Sequence, residues 1–395
     1  MVRIAREIAN VLLSIMLFIC LIGMGAAVMA SATAFNPHFI TSQIDRLNIV
    51  GIFNEKAVPE LQKTDELAEH PEIIVGLQSA IEKNSPALKN ALDKAVSDVY
   101  AYLIYGHAID LKTTLRSSLM DPSLAASIIN QMDLTPYINQ VIVDNLPDLN
   151  IGGTDLDPTP YLPTVDAVIQ PYFKSQVAML LPRIYDYMLG NSQSLDLNVP
   201  VGPVIDSIYS ALKTAVLASP PSDFASLPPD LLSLGFDIAW QVTLPKIPAS
   251  VDIVAETGIS LPIPITGRLD DAQRTLKDVR QGVIYYQKGF WGLVGLSLFI
   301  MALITLTNFN LKKTYLVLGT TFACYGILET AAVVVTRVLI HSRIASLSGI
   351  PVSLQPWIIQ LADTATNPLL VFAVCFSAAG IILVTVSALY RRGAN

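Results

Sequence analysis

Four long stretches of this chain carry almost no charge, and they decide what it can fold into. After Glu7 the next ionised side chain is Asp45, and the apolar centre of that gap is Val11 to Ala30. A second gap between Lys288 and Lys312 is centred on Gly289 to Phe309, and a fourth, between Asp363 and Arg391, covers Pro368 to Tyr390. The third apolar run, Thr314 to Ile340, holds Glu329 and Arg337 inside it. About 20 apolar residues in a helix cross the ~30 Å hydrocarbon layer of a bilayer. Composition agrees: 52% of the residues are hydrophobic and 14% are charged, against about 25% charged in soluble domains. The pattern predicts four transmembrane helices.

Basic residues are retained on the cytoplasmic side of a span. Arg3 and Arg6 precede the first span, Lys312 and Lys313 fill the link between the second and third, and Arg391 and Arg392 follow the fourth. All three clusters fall on one side. The expected topology is therefore a multi-pass protein of the plasma membrane with both termini cytoplasmic. Residues 1–34 form the amino terminus and first span, 35–285 an extracytoplasmic domain, and 286–395 the remaining spans with an outer link at 341–367. Counted from residue 35 through Lys288, the outer part has 17 basic and 29 acidic residues. A region that acidic is ill suited to nucleic acid. Ala30, Ala32 and Ala34 resemble a signal-peptidase site, but a 20-residue apolar core exceeds the 7–15 of a signal peptide and favours an uncleaved anchor.

The three cysteines, Cys20, Cys324 and Cys375, all fall inside spans, so the outer domain must be held by an ordinary core without disulfides. Its periodicity is helical. Leu88, Leu92, Val96, Val99 and Leu103 recur at three- and four-residue steps, which predicts a helix from Pro86, in its first turn, to Gly106 at its end. Further helices are expected at about 57–83, 122–132, 136–146, 164–189, 203–218 and 229–241, with breaks at Asp121-Pro122 and Ser219-Pro220-Pro221. The proline-rich stretches 191–203 and 243–266 read as loops or short edge strands. The fold class is thus mainly α: four transmembrane helices plus a largely helical extracytoplasmic domain inserted between helices 1 and 2.

A seam of Leu269, Ala272, Leu276, Val279, Val283, Tyr286, Phe290, Leu293, Ser297, Ile300 and Ile304 keeps 3-4 spacing across the boundary of that domain, as one continuous stalk helix would, or as a face that packs on the rest of the outer domain would. Asp270 and Asp271 are expected in its first turn, complementing the helix dipole. Tyr285, Tyr286, Lys288 and Trp291 cluster where it would enter the bilayer, the composition of an interfacial belt. Trp357 is a similar anchor in the outer link, expected on a short helix lying along the surface.

Glu329 falls deep in the third span, where a carboxylate must be protonated, paired or wetted. Arg337, eight residues on, is too far along and around the helix to reach it, which leaves hydroxyls such as Thr305 or Ser377. A hydrogen-bonded neutral Glu between helices is the plainer reading. No other constellation suggests chemistry. His38, His70, His107 and His341 lack metal-ligand spacing, and no nucleophile elbow, phosphate loop or dinucleotide fingerprint occurs. Asp148 to Asp155 begins like a calcium loop but has Gly152 at the fifth position and Thr159 at the twelfth, so a turn is expected. No cofactor, metal or enzymatic activity is expected.

The segment Phe35-Asn36-Pro37-His38-Phe39-Ile40 followed by Gln43-Ile44-Asp45-Arg46-Leu47 resembles the start of the outer domain in uncharacterised prokaryotic multi-pass membrane proteins with a helical extracytoplasmic domain after the first span. That resemblance implies a layout and carries no residue roles. The order of one span, a large outer domain and three spans is also similar to mechanotransmission-type ABC permeases. Two functions follow as expectations. One is a non-enzymatic envelope protein whose outer domain engages a protein or lipid partner, its spans anchoring it in the bilayer and, through Gly23 and Ala27, associating as a homo-oligomer. The other is a coupling subunit with a membrane partner, in which the stalk moves the second span and Glu329 lines a polar path.

Overall fold

The helices begin where short polar side chains and prolines allow them to. Asn36 caps one by accepting a hydrogen bond from the His38 N–H, with Pro37 in the first turn. Asp110, Asp121 and Asn310 cap three others by accepting from the N–H groups of Lys112, Ser123 and Lys312 respectively. Each cap satisfies a backbone donor that the first turn leaves unpaired. At the other end of a helix, Gly106 adopts a φ of 79° and closes a π-helical turn at Ala101–Tyr105, a conformation that glycine reaches without a Cβ penalty.

The computed structural model describes residues 2–63, 68, 71–133, 135, 149–151, 154–157, 159–243, 250–252, 265–308, 310–344 and 350–389. In chain order its main helices are α1 (Val2–Ala32), α2 (Pro37–Asp45), α3 (Pro71–Tyr100), α4 (Leu111–Arg116), α5 (Pro122–Gln131), α6 (Leu162–Met188), α7 (Gly202–Ala218), α8 (Pro229–Thr243), α9 (Thr266–Asn308), α10 (Leu311–Arg343) and α11 (Gln355–Leu389). Two antiparallel pairs of short strands accompany them. β1 (Leu149–Ile151) pairs with β2 (Thr154–Leu156), and β3 (Asn198–Pro200) pairs with β4 (Ser250–Asp252). The protein is mainly α, and α1, α9, α10 and α11 are long and apolar enough to cross a membrane.

Most expected helices of the large middle region are present within a residue or two. The expected helix at 136–146, the glycines at 152 and 153, the prolines at 245, 248, 262 and 264, and the basic pair at 391 and 392 lie outside the described residues. Several expectations are corrected. Pro86 does not start a helix: it sits inside α3, which begins at Pro71. A mid-helix proline is unfavourable by about 3 kcal/mol. Buried Ile74, Ala80 and Ile81 hold the preceding turns, as does Asn84, which donates to the Ala80 carbonyl and accepts from Ser127 and Gln131 of α5. Because α9 starts at Thr266, Asp270 and Asp271 fall after its first turn. Residues 355–367 form no separate surface helix, since Trp357 lies at the start of α11 and the helix runs through Pro368 to Leu389.

The chain packs as two compact units. The second, Phe53–Ala91 with Asp110–Ala272, has a core of large side chains from α6, α7 and α8. Phe236 and Leu212 are fully buried there, beside Val216, Leu232, Trp240 and Phe224. The first unit is Met1–Ile52, Leu92–Ile109 and Gln273–Asn395. Its exterior is apolar: Ile19, Phe299, Ile327, Leu328, Val371 and Ile382 are each more than half exposed. Its interior combines Leu17, Leu21, Ile300, Ile304 and Tyr325 with the polar Ser297, Thr314, Thr321 and Ser387. An apolar exterior of this extent, with hydroxyl-bearing residues among the interior contacts, suits helices surrounded by lipid.

Candidate functional site

Small residues set the geometry of the last two helices. A Cβ added to Gly319 would lie 2.9 Å from the Gly380 carbonyl oxygen, and one on Gly326 would run into Ser377 Oγ and the Ala373 carbonyl. Gly380 faces the Ala323 backbone in the same way. Backbones can approach this closely only where side chains are absent. Ser387 Oγ donates to the Lys312 carbonyl at 2.9 Å near one end of the pair, and the same antiparallel register carries through to the other end. There it delivers Arg337 of α10 to Asp363, Thr366 and Asn367 of α11.

Arg337 is pinned by three hydrogen bonds of 2.8 Å, from Nε to Thr366 Oγ1 and from Nη2 to the Asp363 carbonyl and to Asn367 Oδ1. Its Nε also lies 3.8 Å from Asp363 Oδ1. His341, one turn further along α10, places Nε2 at 3.3 and 3.2 Å from the two Asp363 carboxylate oxygens. An open cleft of about 630 Å³ is lined by Val334, Arg337, Val338, His341, Ser342 and Asp363. In the sequence Asp363 is the edge of a span and His341 stands apart from other metal-ligating residues. The readable signal was the helical spacing itself: Arg337 and His341 at i, i+4, and Asp363, Thr366 and Asn367 at i, i+3, i+4, share faces.

Glu329 and Arg337 do not meet, as their separation along one helix requires. Glu329 is half-buried and has no hydrogen-bond partner among the described residues. Neither hydroxyl expected to serve it does so. Thr305 Oγ1 donates to the Met301 carbonyl of its own helix, and Ser377 is packed against Gly326. The polar group nearest in helical register is Tyr325, four residues earlier on the same face. Its ring is fully buried in edge-on contact with Phe18, Phe372 and Phe376. Its hydroxyl, without a partner, points at Gly25 of α1, where any side chain would collide with it.

The aromatic belt divides. Trp291 and Tyr285 are 71% and 63% exposed and Lys288 is exposed, while Tyr286 turns inward. Its hydroxyl bonds Ser31 at 2.7 Å and the Ala27 carbonyl, and its ring lies 4.5 Å from Phe35. Trp357 is likewise committed inside the unit, donating from Nε1 to the Gln43 carbonyl at 2.8 Å. Gly23 and Ala27 face α9 through Leu293 and Tyr286, so their small-residue spacing serves contacts within the chain. The stalk seam holds from Val283 through Ser297, Ile300 and Ile304. It slips before that: Val279 is 44% exposed, and Arg280 takes the inward place with its guanidinium 4.9 Å from the centre of the Tyr102 ring, a cation–π contact that apolar spacing does not reveal.

Among the described residues no group of three or more His, Cys, Asp or Glu side chains converges as a metal site. Comparison with protein-family models, with curated proteins and with solved structures found no match to this chain.

Proposed function

We propose that this chain is a membrane-anchored cell-envelope protein of non-enzymatic binding type. In this reading its termini are cytoplasmic, residues 35–285 lie outside the membrane, and that region engages a partner protein through a helix face. The observation that carries the proposal is α8. One side of it, Leu232, Phe236 and Trp240, is buried in the core of the second unit, yet Leu231, Leu234, Ile238 and Val242 on the other side are 57, 56, 56 and 68% exposed. A water-facing helix ordinarily has one apolar stripe. A second stripe at 3-4-4 spacing matches the anchors by which a helix is recognised. Net acidity and the lack of a group of three or more His, Cys, Asp or Glu side chains among the described residues favour binding over metal-assisted chemistry.

A photo-crosslinker placed at Leu234 or Ile238 of the intact protein in its own membrane tests this. The expected result is one discrete adduct, lost in Leu231→Glu/Val242→Glu. Equal labelling from a control position at Ser210 would refute it. The alternative, a coupling subunit, is favoured by the 43 uninterrupted residues of α9. Stoichiometric recovery of an ATPase with the detergent-purified protein would shift the reading to that class.

A further inference from the structure

We propose that the cleft beside Arg337 seats the phosphate of a membrane phospholipid; this rests on the membrane reading above and adds a ligand to it. Arg337 is held as a receptor would be. Its Nε–H and both Nη2 hydrogens are used by Thr366, Asp363 and Asn367, which leaves the two Nη1 hydrogens without a partner among the described residues. A guanidinium already fixed in place loses little further freedom when it binds, and its fork matches phosphate oxygens.

The Asp363 carboxylate forms an ion pair with Arg337 at 3.8 Å from Nε, is shared with His341 and lines the cleft beside it, so a phosphate would be held through the Nη1 hydrogens with that carboxylate as its neighbour. The cleft is also graded from apolar to polar along α10. Val334 and Val338, 51% and 61% exposed, line its side toward the middle of the helix, and His341 and Ser342 line its side toward the end. Eight residues of helix separate Val334 from Ser342, about 12 Å, enough for a headgroup and the first part of an acyl chain. A free phosphate ion would have no use for the valine wall.

The test uses the intact chain purified in mild detergent and examined by native mass spectrometry. It is offered dioleoyl phosphatidylglycerol, a phosphate-free galactosyl diacylglycerol, or inorganic phosphate. One phosphatidylglycerol is expected to stay bound per chain, with the galactolipid retained about tenfold less. Arg337→Gln should lower retention about tenfold, but it also loosens α10 from α11. Val338→Trp, which fills the cleft and leaves every Arg337 hydrogen bond in place, is therefore the deciding variant: it should lower phospholipid retention similarly with the melting temperature unchanged. Equal retention by wild type and Val338→Trp, equal retention of the galactolipid, or occupancy by inorganic phosphate that excludes the phospholipid would each overturn the proposal. Alkaline extraction without detergent comes first. Recovery of the chain in the soluble fraction there would overturn the membrane reading itself, an outcome distinct from a failure of lipid binding.

Discussion

The α10–α11 pair and the α6–α8 core join helices by opposite means. The first brings backbone against backbone at Gly319, Gly326 and Gly380 through glycine, alanine and serine, with edge-on rings of Phe322 and Tyr325 against Phe372 and Phe376 beside them. The second uses bulk, with Phe236 stacked on Trp240 at 6.2 Å and both set against Tyr209. In the proposed topology the difference follows from solvent. In water, removing a large apolar side chain from solvent is itself the driving force, about 25 cal/mol per Å². Between helices in hydrocarbon that force is missing, and close van der Waals contact with hydrogen bonds must replace it. The apolar exterior of the first unit and the glycine, alanine and serine contacts between α10 and α11 are what that substitution looks like.

If this contrast is right, substitutions should sort by unit. The largest effect is expected from Gly326→Leu, because the obstructing groups are the Ala373 carbonyl and the Ser377 backbone, which cannot rotate aside. A destabilisation of at least about 3 kcal/mol should appear as loss of the folded membrane part on detergent titration, with the far-UV signal of the second unit unchanged. Next is Phe236→Ala, which empties a fully buried site and should lower stability toward denaturant by about 3–5 kcal/mol. If Phe236→Ala proved neutral while an exposed α8 substitution such as Ile238→Glu unfolded the domain, inside and outside would have been assigned wrongly.

Asn84→Leu comes third. It leaves the half-buried Ser127 hydroxyl without its acceptor, at about 1 kcal/mol, while the exposed Gln131 can turn to water. Smaller still is a pH effect of opposite sign in the two units. In the first, burial and then the nearby Asp45 hold the Asp93 carboxyl above its usual range. Its folded form prefers the proton, so its stabilising contribution is present in acid and lost as pH rises through the raised value. In the second, hydrogen bonds from Thr113 hold Asp110 below the usual range and those from Thr135 do the same for Asp133. Their contribution is present above the ordinary carboxylate range and lost as pH falls through the lowered values. Replacing Asp93 with Asn should flatten the acid-side gain of the first unit alone, a change of about 1 kcal/mol or less in a pH series of melting curves. The smallest effect is expected from Gly23→Ala. Its nearest neighbour is the flexible end of Leu293, 3.3 Å from an added Cβ, and the shift should stay within about 0.5 kcal/mol.

Much of this was legible in the sequence because it depends on local pattern. The charge gaps locate α1, α9, α10 and α11, and the 3.6-residue periodicity locates α5, α6, α7 and α8. The misreadings share a cause. Pro86 looked like a helix start because proline is unfavourable within a helix, but the packing of Ile74 and Ala80 and the bonds of Asn84 outweigh that local preference. The type of Trp357 and Tyr286 suits an interface belt, and it does not reveal that each bonds a backbone carbonyl more than 250 residues away in sequence. Val279 fitted the seam by spacing, yet Arg280 occupies the inward position because its charge has an aromatic ring to rest on.

The sequence by itself determined the helical class, the four membrane-length helices and the acidic character of the region between the first two. Each of these is a sum over near neighbours, of charge, hydropathy or periodicity. Only the tertiary structure decided which polar groups meet. Arg337 passes over Glu329 on its own helix for Asp363, Thr366 and Asn367 on the next, and Tyr325 rather than Thr305 or Ser377 stands in register with Glu329. The reason is that helix register is fixed by where backbones can touch. The glycines of α10 and α11 set that register, and through it the partners of every polar side chain along the pair.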